Sequence, residues 1–281
     1  MKFILNDQII DQQKAMIHVS DLAILRGYGI FDFFRTVGLR PLYFDDHIDR
    51  FFQSAALLRL PCPVDKIRLK SMILEMLHTN GVANSGVRIV LTGGESATGY
   101  SIGIPTLFVM NEPIGPLPEH HFTQGIKIIS HEYLRDLPEI KTINYIVGIY
   151  KQPDIQAAGA VDLLYHWQGK ISELTRSNFF IVDKDNTIIT PGSGILKGVN
   201  RKHVITVASQ HFRVVERDLY MEELADAREA FITGTTKKVM PVFQVDDMVI
   251  GTGARGPVTE ELQNRYDTYL AEWIGDNREK K

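Results

Sequence analysis

An amine and a carboxylate on two separate segments are the residues of this chain best suited to chemistry. Lys141 lies in the segment LPEIKTINY, residues 137–145, and Glu173 lies in GKISELTRSN, residues 169–178. Pyridoxal phosphate needs such a pair, because it binds a lysine covalently and takes an acidic group against its ring nitrogen. The two segments therefore predict a pyridoxal phosphate site, provided that other segments supply its remaining contacts.

Both residues also have more ordinary interpretations. A lysine at the end of an element is usually solvated, although apolar neighbours could make the surroundings of Lys141 partly dry and lower the pKa of its amine. Glu173 follows a turn at residues 168–170 that joins two predicted strands, and strand alternation puts it on the same face as Ile171. An inward-facing carboxylate is therefore expected at Glu173.

Three further segments could bind a phosphate group. Gly198 precedes a helix predicted from Val199, and a glycine there lets the backbone approach an anion at the helix N-terminus. Thr235 and Thr236 follow a predicted strand, and Arg50 on a predicted helix could donate two hydrogen bonds to an anion. An ordinary loop, a simple bend and a solvated arginine are the alternatives for these segments.

The elements that must position these residues fall into two parts. The first part is predicted to contain a hairpin, two helices and two strands, at residues 3–10, 47–60, 64–78, 87–91 and 106–110. The second is predicted to contain strands at 126–130, 163–167, 179–182, 187–190 and 229–233, and helices at 144–158, 199–210, 221–225 and 258–273. A run with three prolines cannot continue either kind of element, so a linker at 113–123 is predicted between domains at 1–112 and 124–281.

Composition and charge argue against several classes of protein. The chain has 281 residues, and its net charge of −3 disfavours a nucleic-acid binder that works by neutralising phosphates. Its single cysteine, Cys62, cannot form an intramolecular disulfide, and the apolar stretch at the N-terminus is too short for a signal peptide or a membrane span. No third ligand with metal-like spacing accompanies His120 and His121. We therefore expect a cytoplasmic protein with no metal site and no membrane or nucleic-acid partner.

The order of these motifs resembles that of fold-type IV pyridoxal-phosphate enzymes, which include branched-chain aminotransferases, D-amino acid aminotransferases and aminodeoxychorismate lyases. The resemblance covers nearly the whole chain, and its most specific segments are residues 141–144, 172–179, 196–201 and 234–241. It implies a mixed α+β fold with a small N-terminal α/β domain. The larger C-terminal domain, with a barrel-like sheet, is then expected to carry the lysine. It also implies at least a homodimer, in which the loop at 93–101 approaches the site of the partner subunit.

The resemblance implies a role for each site residue. Lys141 holds the cofactor and moves a proton between it and the substrate Cα, Glu173 contacts the ring nitrogen, and Tyr145 lies near the 3-oxygen. The phosphate contacts include the backbone of Val199 and Asn200. The full set of implied cofactor contacts is Arg50, Lys141, Tyr145, Glu173, Asn178, Val199, Asn200, Thr235 and Thr236.

Three cations are candidates for binding a substrate carboxylate. Arg88 interrupts an apolar strand, where a basic residue is unusual unless it lines a cleft or meets an acid. Arg26 precedes another strand, and Lys237 follows the two threonines. An ion pair for Arg88 and solvation for Arg26 and Lys237 are the alternatives.

The resemblance favours an enzyme that exchanges the amino group between a D-amino acid and a 2-oxo acid, such as 2-oxoglutarate, by a ping-pong mechanism. Residues 26–28 and 195–201 resemble the D-amino acid enzymes, as does the spacing from Lys141 to Asn144. Glycines follow Thr92, however, where those enzymes have an arginine that binds the carboxylate. A branched-chain L-aminotransferase is the second hypothesis, an aminodeoxychorismate lyase the third, and a protein with a vestigial cofactor site the fourth.

Overall fold

The chain forms two compact units. The computed structural model describes residues 1–279, and the side chains of residues 1–275. The first unit comprises residues 1–115 together with 140–144, and the second comprises 116–139 and the chain from 145 onward. No helix in the described part of the chain is long and apolar enough to cross a membrane.

The first unit is an antiparallel sheet of six strands with helices packed on it. Its elements are β1 (Lys2–Leu5), β2 (Gln8–Asp11), α1 (Leu22–Arg26), β3 (Gly29–Val37), β4 (Arg40–Pro41), α2 (Phe44–Leu57), α3 (Lys66–Asn80), β5 (Gly86–Thr92) and β6 (Leu107–Glu112). The strand order is β2-β1-β6-β5-β3-β4, so β1 and β2 form the predicted hairpin. Gly81 ends α3 in the left-handed conformation at φ 66°, at the predicted position.

The two faces of this sheet have different environments. Ile30, Phe34 and Ile89 belong to a fully buried core that includes residues of α2 and α3. The alternate residues Phe31 and Arg88 lie on the other face and are only half-buried. Side chains on this second face are therefore available for chemistry.

Residues 140–144 join the first unit at β3. The amide of Phe31 donates to the carbonyl of Lys141 at 2.9 Å, and the amide of Ile143 donates to the carbonyl of Gly29 at 3.1 Å. The sequence assigned Lys141 to the larger domain by its position along the chain. Its backbone contacts are instead with the smaller unit, because this segment satisfies the hydrogen-bonding groups at the start of β3.

The second unit is built on a closed barrel of six strands. Its elements are α4 (His120–Thr123), β7 (Ile126–Glu132), α5 (Ile146–Tyr150), α6 (Gln152–Ala157), β8 (Leu163–Trp167), β9 (Lys170–Leu174), β10 (Asn178–Val182), β11 (Ile188–Pro191), α7 (Val199–Ala208), β12 (Val214–Arg217), β13 (Leu219–Tyr220), a 3₁₀ helix (Met221–Asp226), β14 (Glu229–Gly234), β15 (Lys238–Val245), β16 (Met248–Val249) and α8 (Pro257–Glu279). The order β10-β14-β15-β7-β8-β9 closes where Asn178 pairs with Glu173. The predicted mixed fold with a barrel-like sheet is confirmed.

Alternation along β10 separates two cores. Phe179 and Ile181 belong to a buried cluster drawn from all six barrel strands. Phe180 and Val182 belong to a second cluster with residues of α7 and α8, and the Phe180 ring stacks on Phe231 at 4.8 Å. The barrel therefore has an apolar interior and is covered on one side by two helices.

The connection between β7 and β8 differs from the expected single helix over 144–158. Two short helices, α5 and α6, stand there in its place. Pro153 lies in the first turn of α6. It has no amide hydrogen, and its ring clashes with the carbonyl four residues earlier, so a continuous helix is interrupted at this point. The predicted linker at 113–123 begins directly after β6 and ends with α4.

Candidate active site

Arg50 is held in the first unit by a buried carboxylate. Its Nε and Nη2 donate to the two oxygens of Asp32, each at 2.8 Å, and Nδ1 of His47 lies 2.7 Å from Asp32 Oδ1. The Asp32 side chain is 0% exposed. Burial by itself raises the pKa of Asp32, but the Arg50 guanidinium outweighs it and holds that pKa well below its usual range.

This pairing leaves one nitrogen of Arg50 available. Arg50 is 11% exposed, so it is not the solvated arginine that was the alternative interpretation. Among the residues that the structure describes, none accepts a hydrogen bond from its Nη1. The arrangement suits an anion, because the bidentate pair with Asp32 fixes the plane of the guanidinium.

Lys141 directs its amine toward an aromatic ring. Its Nζ lies 4.4 Å from the centroid of Phe31, and its backbone amide donates to Oγ of Ser54 in α2 at 3.3 Å. The Phe31 ring and the buried neighbour Ile140 exclude water from part of its surroundings. The partly dry environment expected for Lys141 is therefore present.

Arg88 lies over the same ring. Its Cζ is 5.5 Å from the centroid of Phe31 and 5.0 Å from that of Phe33, while its Nε donates to Glu112 Oε1 at 2.7 Å. The ion pair that was the alternative for Arg88 exists, but it occupies only Nε. In the described chain no group accepts from either terminal nitrogen of Arg88. Its guanidinium fork can therefore bind a carboxylate.

Arg26 has a different setting at the end of α1. Its side chain is exposed, and its Nη1 donates to the carbonyl of its own neighbour Leu25 at 2.7 Å. The guanidinium lies beside Gly99, in the loop at residues 93–101. In the first unit by itself Arg26 is solvated, as the alternative interpretation expected.

Glu173 is a buried carboxylate in the second unit. It is 4% exposed, and Ile171 is fully buried on the same face of β9, as the alternation predicted. Its Oε1 pairs with Nη1 of Arg135 at 2.6 Å, and its Oε2 accepts from the amide of Leu196 at 3.1 Å. Nδ2 of Asn178 lies 3.5 Å from Oε2. These donors stabilise Glu173 as a carboxylate.

Arg135 is a residue that sequence reasoning missed. It lies in the loop between β7 and α5, 38 positions from Glu173, so no local pattern links the two. Burial by itself lowers the pKa of Arg135, but Glu173 outweighs it and raises that pKa. Tyr145, half-buried just before α5, contributes to the same shift and therefore lies near this pair.

The N-terminus of α7 presents backbone donors. Gly198 precedes the helix at φ −64°, so no left-handed conformation requires the glycine. A Cβ there would meet Asn178 Oδ1 at 2.2 Å, which explains the glycine by the close approach of Asn178 instead. Among described residues, none accepts from the amides of Val199 and Asn200. The Asn200 side chain donates to the hydroxyl of Tyr266 at 2.8 Å, so its backbone is the part open to an anion.

Thr235 and Thr236 lie in the tight turn between β14 and β15. The amide of Lys237 donates to the carbonyl of Gly234 at 3.1 Å, and Lys238 has φ 50°. A three-residue hairpin loop followed by a left-handed residue is a common connection between antiparallel strands. Both threonines are half-buried.

Lys237 is neither solvated nor open to solvent on its ammonium. It is 8% exposed, and its Nζ lies 2.7 Å from Asp162 Oδ2 and 2.9 Å from Ser177 Oγ. The alternative of solvation for Lys237 is therefore wrong.

The donors in each unit fit pyridoxal phosphate. The first unit provides the Lys141 amine and the Arg50 Nη1 donor. The second provides a buried carboxylate, Glu173, and two helix amides without a described acceptor. Such a set matches an aldehyde, a pyridine nitrogen and a phosphate, respectively.

Comparison with known proteins gives the family. Residues 29–245 match the family model of class IV amino-transferases. A Methanocaldococcus jannaschii protein, whose name of branched-chain-amino-acid aminotransferase is provisional, is 31% identical over 97% of this chain and 98% of its own. A Listeria monocytogenes D-alanine aminotransferase is 26% identical over 98% of each chain. A branched-chain amino acid aminotransferase from T.th., solved with pyridoxamine 5'-phosphate, superposes with a TM-score of 0.86 at 26% identity, covering 96% of this chain and 93% of that one. The chain therefore belongs to the class IV aminotransferases, which use pyridoxal phosphate.

Proposed function

We propose that this aminotransferase transfers the amino group between a D-amino acid and a 2-oxo acid, such as 2-oxoglutarate, by a ping-pong mechanism. The D-alanine aminotransferases of Listeria and of Bacillus licheniformis are relatives at 26–27% identity across more than nine-tenths of this chain. The motifs at residues 26–28 and 195–201 support the same group.

One observation carries the proposal of a carboxylate-binding transaminase. Lys141 Nζ and the Arg88 guanidinium lie over the same Phe31 ring, with the fork of Arg88 open. A substrate whose carboxylate binds Arg88 has its other end in reach of the amine that moves the proton. Arg26 and Lys237 are the other proposed cations, but the Asp162 partner of Lys237 favours a different role.

The residues of this chain divide the work among themselves. When bound, pyridoxal phosphate supplies an electron sink that stabilises negative charge at the substrate Cα. Lys141 Nζ takes the proton from that carbon and returns it, because its surroundings favour a neutral amine once the substrate is bound. Glu173, paired with Arg135, holds a proton on the ring nitrogen. Tyr145 and Asn178 are the proposed contacts near the ring. The proposed phosphate donors are Arg50, the amides of Val199 and Asn200, Thr235 and Thr236.

A branched-chain L-aminotransferase is the second candidate. It is favoured by the 31% identity with the Methanocaldococcus jannaschii protein, which exceeds the identity with the D-alanine enzymes. The open fork of Arg88 does not separate the two candidates, because substrates of both carry an α-carboxylate.

The half-reaction with single enantiomers tests the proposal. Holoenzyme is mixed separately with D-glutamate, L-glutamate, D-alanine and L-leucine, and loss of the visible absorbance of the lysine-bound cofactor is followed. The proposal expects bleaching by the D-amino acids and no bleaching by L-leucine. Bleaching by L-leucine alone would refute it. The Lys141→Ala variant is the control, since it should show neither the absorbance nor turnover.

We further propose a homodimer that works in the cytoplasm. Tyr100 and Ile104, in and beside the loop at residues 93–101, are 84% and 88% exposed, and large apolar side chains so exposed are typical of association surfaces. Sedimentation equilibrium should give twice the chain mass of 31.8 kDa. A single-chain mass at micromolar concentration would rule out the dimer.

A further inference from the structure

The ion pair of Lys237 and Asp162 is buried in the second unit and takes no part in the steps above. The side chains of Lys237 and Asp162 are 10% and 4% exposed. Desolvating two charges is costly, and the cost is offset only when the geometry is good and the remaining donors and acceptors are satisfied. Such a pair is therefore informative about where the fold must be held firmly.

Both partners are engaged by protein groups. Asp162 accepts from Lys237 Nζ through Oδ2 and from the amide of Leu163 through Oδ1, at 2.7 and 2.9 Å. Lys237 Nζ also donates to Ser177 Oγ at 2.9 Å. With two of its three protons given to Asp162 and Ser177, Lys237 has little capacity left for a substrate carboxylate.

The pair joins two turns that are in contact. Lys237 is the last residue of the turn that carries Thr235 and Thr236, while Ser177 ends the turn between β9 and β10. A Cβ on Gly234 would lie 3.4 Å from Ser177 Oγ and 3.3 Å from the carbonyl of Arg176. The two turns are therefore packed at van der Waals distance, with the Lys237 ammonium bonded to both Ser177 and the start of β8.

The second turn adjoins the buried carboxylate. Glu173 lies near the end of β9, and Asn178, which begins β10, pairs with it across the closure of the barrel. The amide of Leu174 donates to the carbonyl of Ser177 at 2.8 Å. A displacement of Ser177 is therefore transmitted to the strand that carries Glu173.

We propose that Lys237 is a positioning residue, whose bonds to Asp162 and Ser177 fix the turn of Thr235 and Thr236 relative to Glu173. This rests on the proposed roles of those three residues as cofactor contacts. The turn and the carboxylate grip opposite ends of one rigid molecule, its phosphate and its ring nitrogen. Their separation must therefore be fixed before the cofactor binds.

The next residue supplies a matched control. Lys238 also carries an ion pair, with Asp267 Oδ1 at 2.7 Å, but the two side chains are 34% and 56% exposed. Exposed pairs contribute little, because water screens the charges. Lys238→Met therefore removes an ion pair from the same turn without removing the link between the turns.

The experiment measures cofactor retention. Lys237→Met, Asp162→Asn and Lys238→Met are purified as holoenzymes, and release of pyridoxal phosphate on dilution into inorganic phosphate is followed by absorbance. Reconstitution with pyridoxal, which lacks the phosphate, is measured alongside. We expect the dissociation constant for pyridoxal phosphate to rise at least about tenfold in Lys237→Met and Asp162→Asn, and that for pyridoxal to rise much less. Lys238→Met should stay within about twofold of the parent.

Two other roles for Lys237 predict different results. If Lys237 binds substrate, Lys237→Met raises KM while cofactor retention equals that of Lys238→Met, which overturns the proposal. If the pair only stabilises the fold, the melting temperature falls and pyridoxal and pyridoxal phosphate weaken equally, which also overturns it. Should Lys237→Met fail to fold, Lys237→Arg keeps the charge and changes the geometry. Unchanged retention of pyridoxal phosphate in Lys237→Arg would then contradict the proposal, and weakened retention would support it.

Failure of this inference can be told apart from failure of the proposed function. If Thr235→Ala and Thr236→Ala retain the cofactor as tightly as the parent, the phosphate assignment itself is wrong. If they lose it while Lys237→Met does not, only the positioning role is wrong. Neither result depends on which enantiomer the enzyme accepts.

Discussion

Arg50 and Arg88 lie in the same unit, and each has one carboxylate partner, yet they are held in different ways. Arg50 gives two nitrogens to Asp32, and the two side chains are 11% and 0% exposed. Arg88 gives only Nε to Glu112, and both side chains are 33% exposed. Burial and bidentate geometry make the first pair part of the core. The second pair orients a cation and leaves its fork for a ligand.

The largest expected effect is on stability, at Asp32. Asp32→Asn leaves the Arg50 guanidinium without its buried counter-charge, and breaking one side of such a pair costs about 3–5 kcal/mol. Urea unfolding should show this loss in the free energy of unfolding. Glu112→Gln is the matched control, as a carboxylate-to-amide change in the same unit. Equal losses in the two variants would erase the distinction between the pairs.

Arg88→Ala should act on the substrate rather than on the fold. Removing a charged donor from a desolvated pair costs about 2–5 kcal/mol, so KM should rise sharply and kcat/KM fall by the corresponding factor. The urea midpoint should change little. Arg88→Lys, which keeps the charge without the fork, should fall between Arg88→Ala and the parent. An unchanged KM in Arg88→Ala would remove Arg88 from the site.

The pH dependence of stability should differ between the parent and Asp32→Asn. The pKa of Asp32 is lowered in the folded state, so the unfolded chain binds its proton first as the pH falls. The stability that Asp32 contributes is therefore complete above its ordinary pKa and is lost progressively below it. The difference in unfolding free energy between the parent and Asp32→Asn should shrink from pH 6 to pH 3. A constant difference would mean that Asp32 stabilises the fold by packing rather than by charge.

The smallest effect should come from Glu112→Gln. The half-exposed ion pair contributes at most about 1 kcal/mol, and the amide oxygen still accepts from Nε of Arg88. Stability should stay nearly constant, and KM should rise only modestly through a less restrained guanidinium. Steady-state kinetics of Glu112→Gln and Arg88→Ala under one set of conditions gives the comparison. A larger KM effect in Glu112→Gln would mean that Arg88 acts only through its partner.

Features fixed by neighbouring residues could be predicted from the sequence. Gln168 and Gly169 form the expected tight turn, both at positive φ, and the alternation of β9 correctly buries Glu173 beside Ile171. Gly81 ends α3 as expected. In each case the responsible residues lie within a few positions of one another. Backbone sterics and strand periodicity alone therefore decide the outcome.

Features that join distant segments could not be predicted. Asp32 lies 18 positions from Arg50, and Asp162 lies 75 positions from Lys237, so no local pattern relates the partners. For this reason Arg50 and Lys237 had solvation as their ordinary interpretation, and both are buried in ion pairs. Only the fold reveals which carboxylate each cation meets.

One missed element, β15, has a separate cause. Pro241 argues against a strand, because it has no amide hydrogen for the ladder. In the structure β7 pairs with β15 only from Val242 onward, so Pro241 has no strand neighbour on that side. The proline is tolerated there as it would be at an edge.

The identity of the lysine that holds the cofactor is the central claim and can be tested directly. Holoenzyme is reduced with borohydride, digested, and its peptides are mapped by mass spectrometry. We predict that the peptide containing Lys141 carries the added pyridoxyl phosphate mass and that Lys237 remains unmodified. The label on any other lysine, with Lys141 unmodified, would contradict the account.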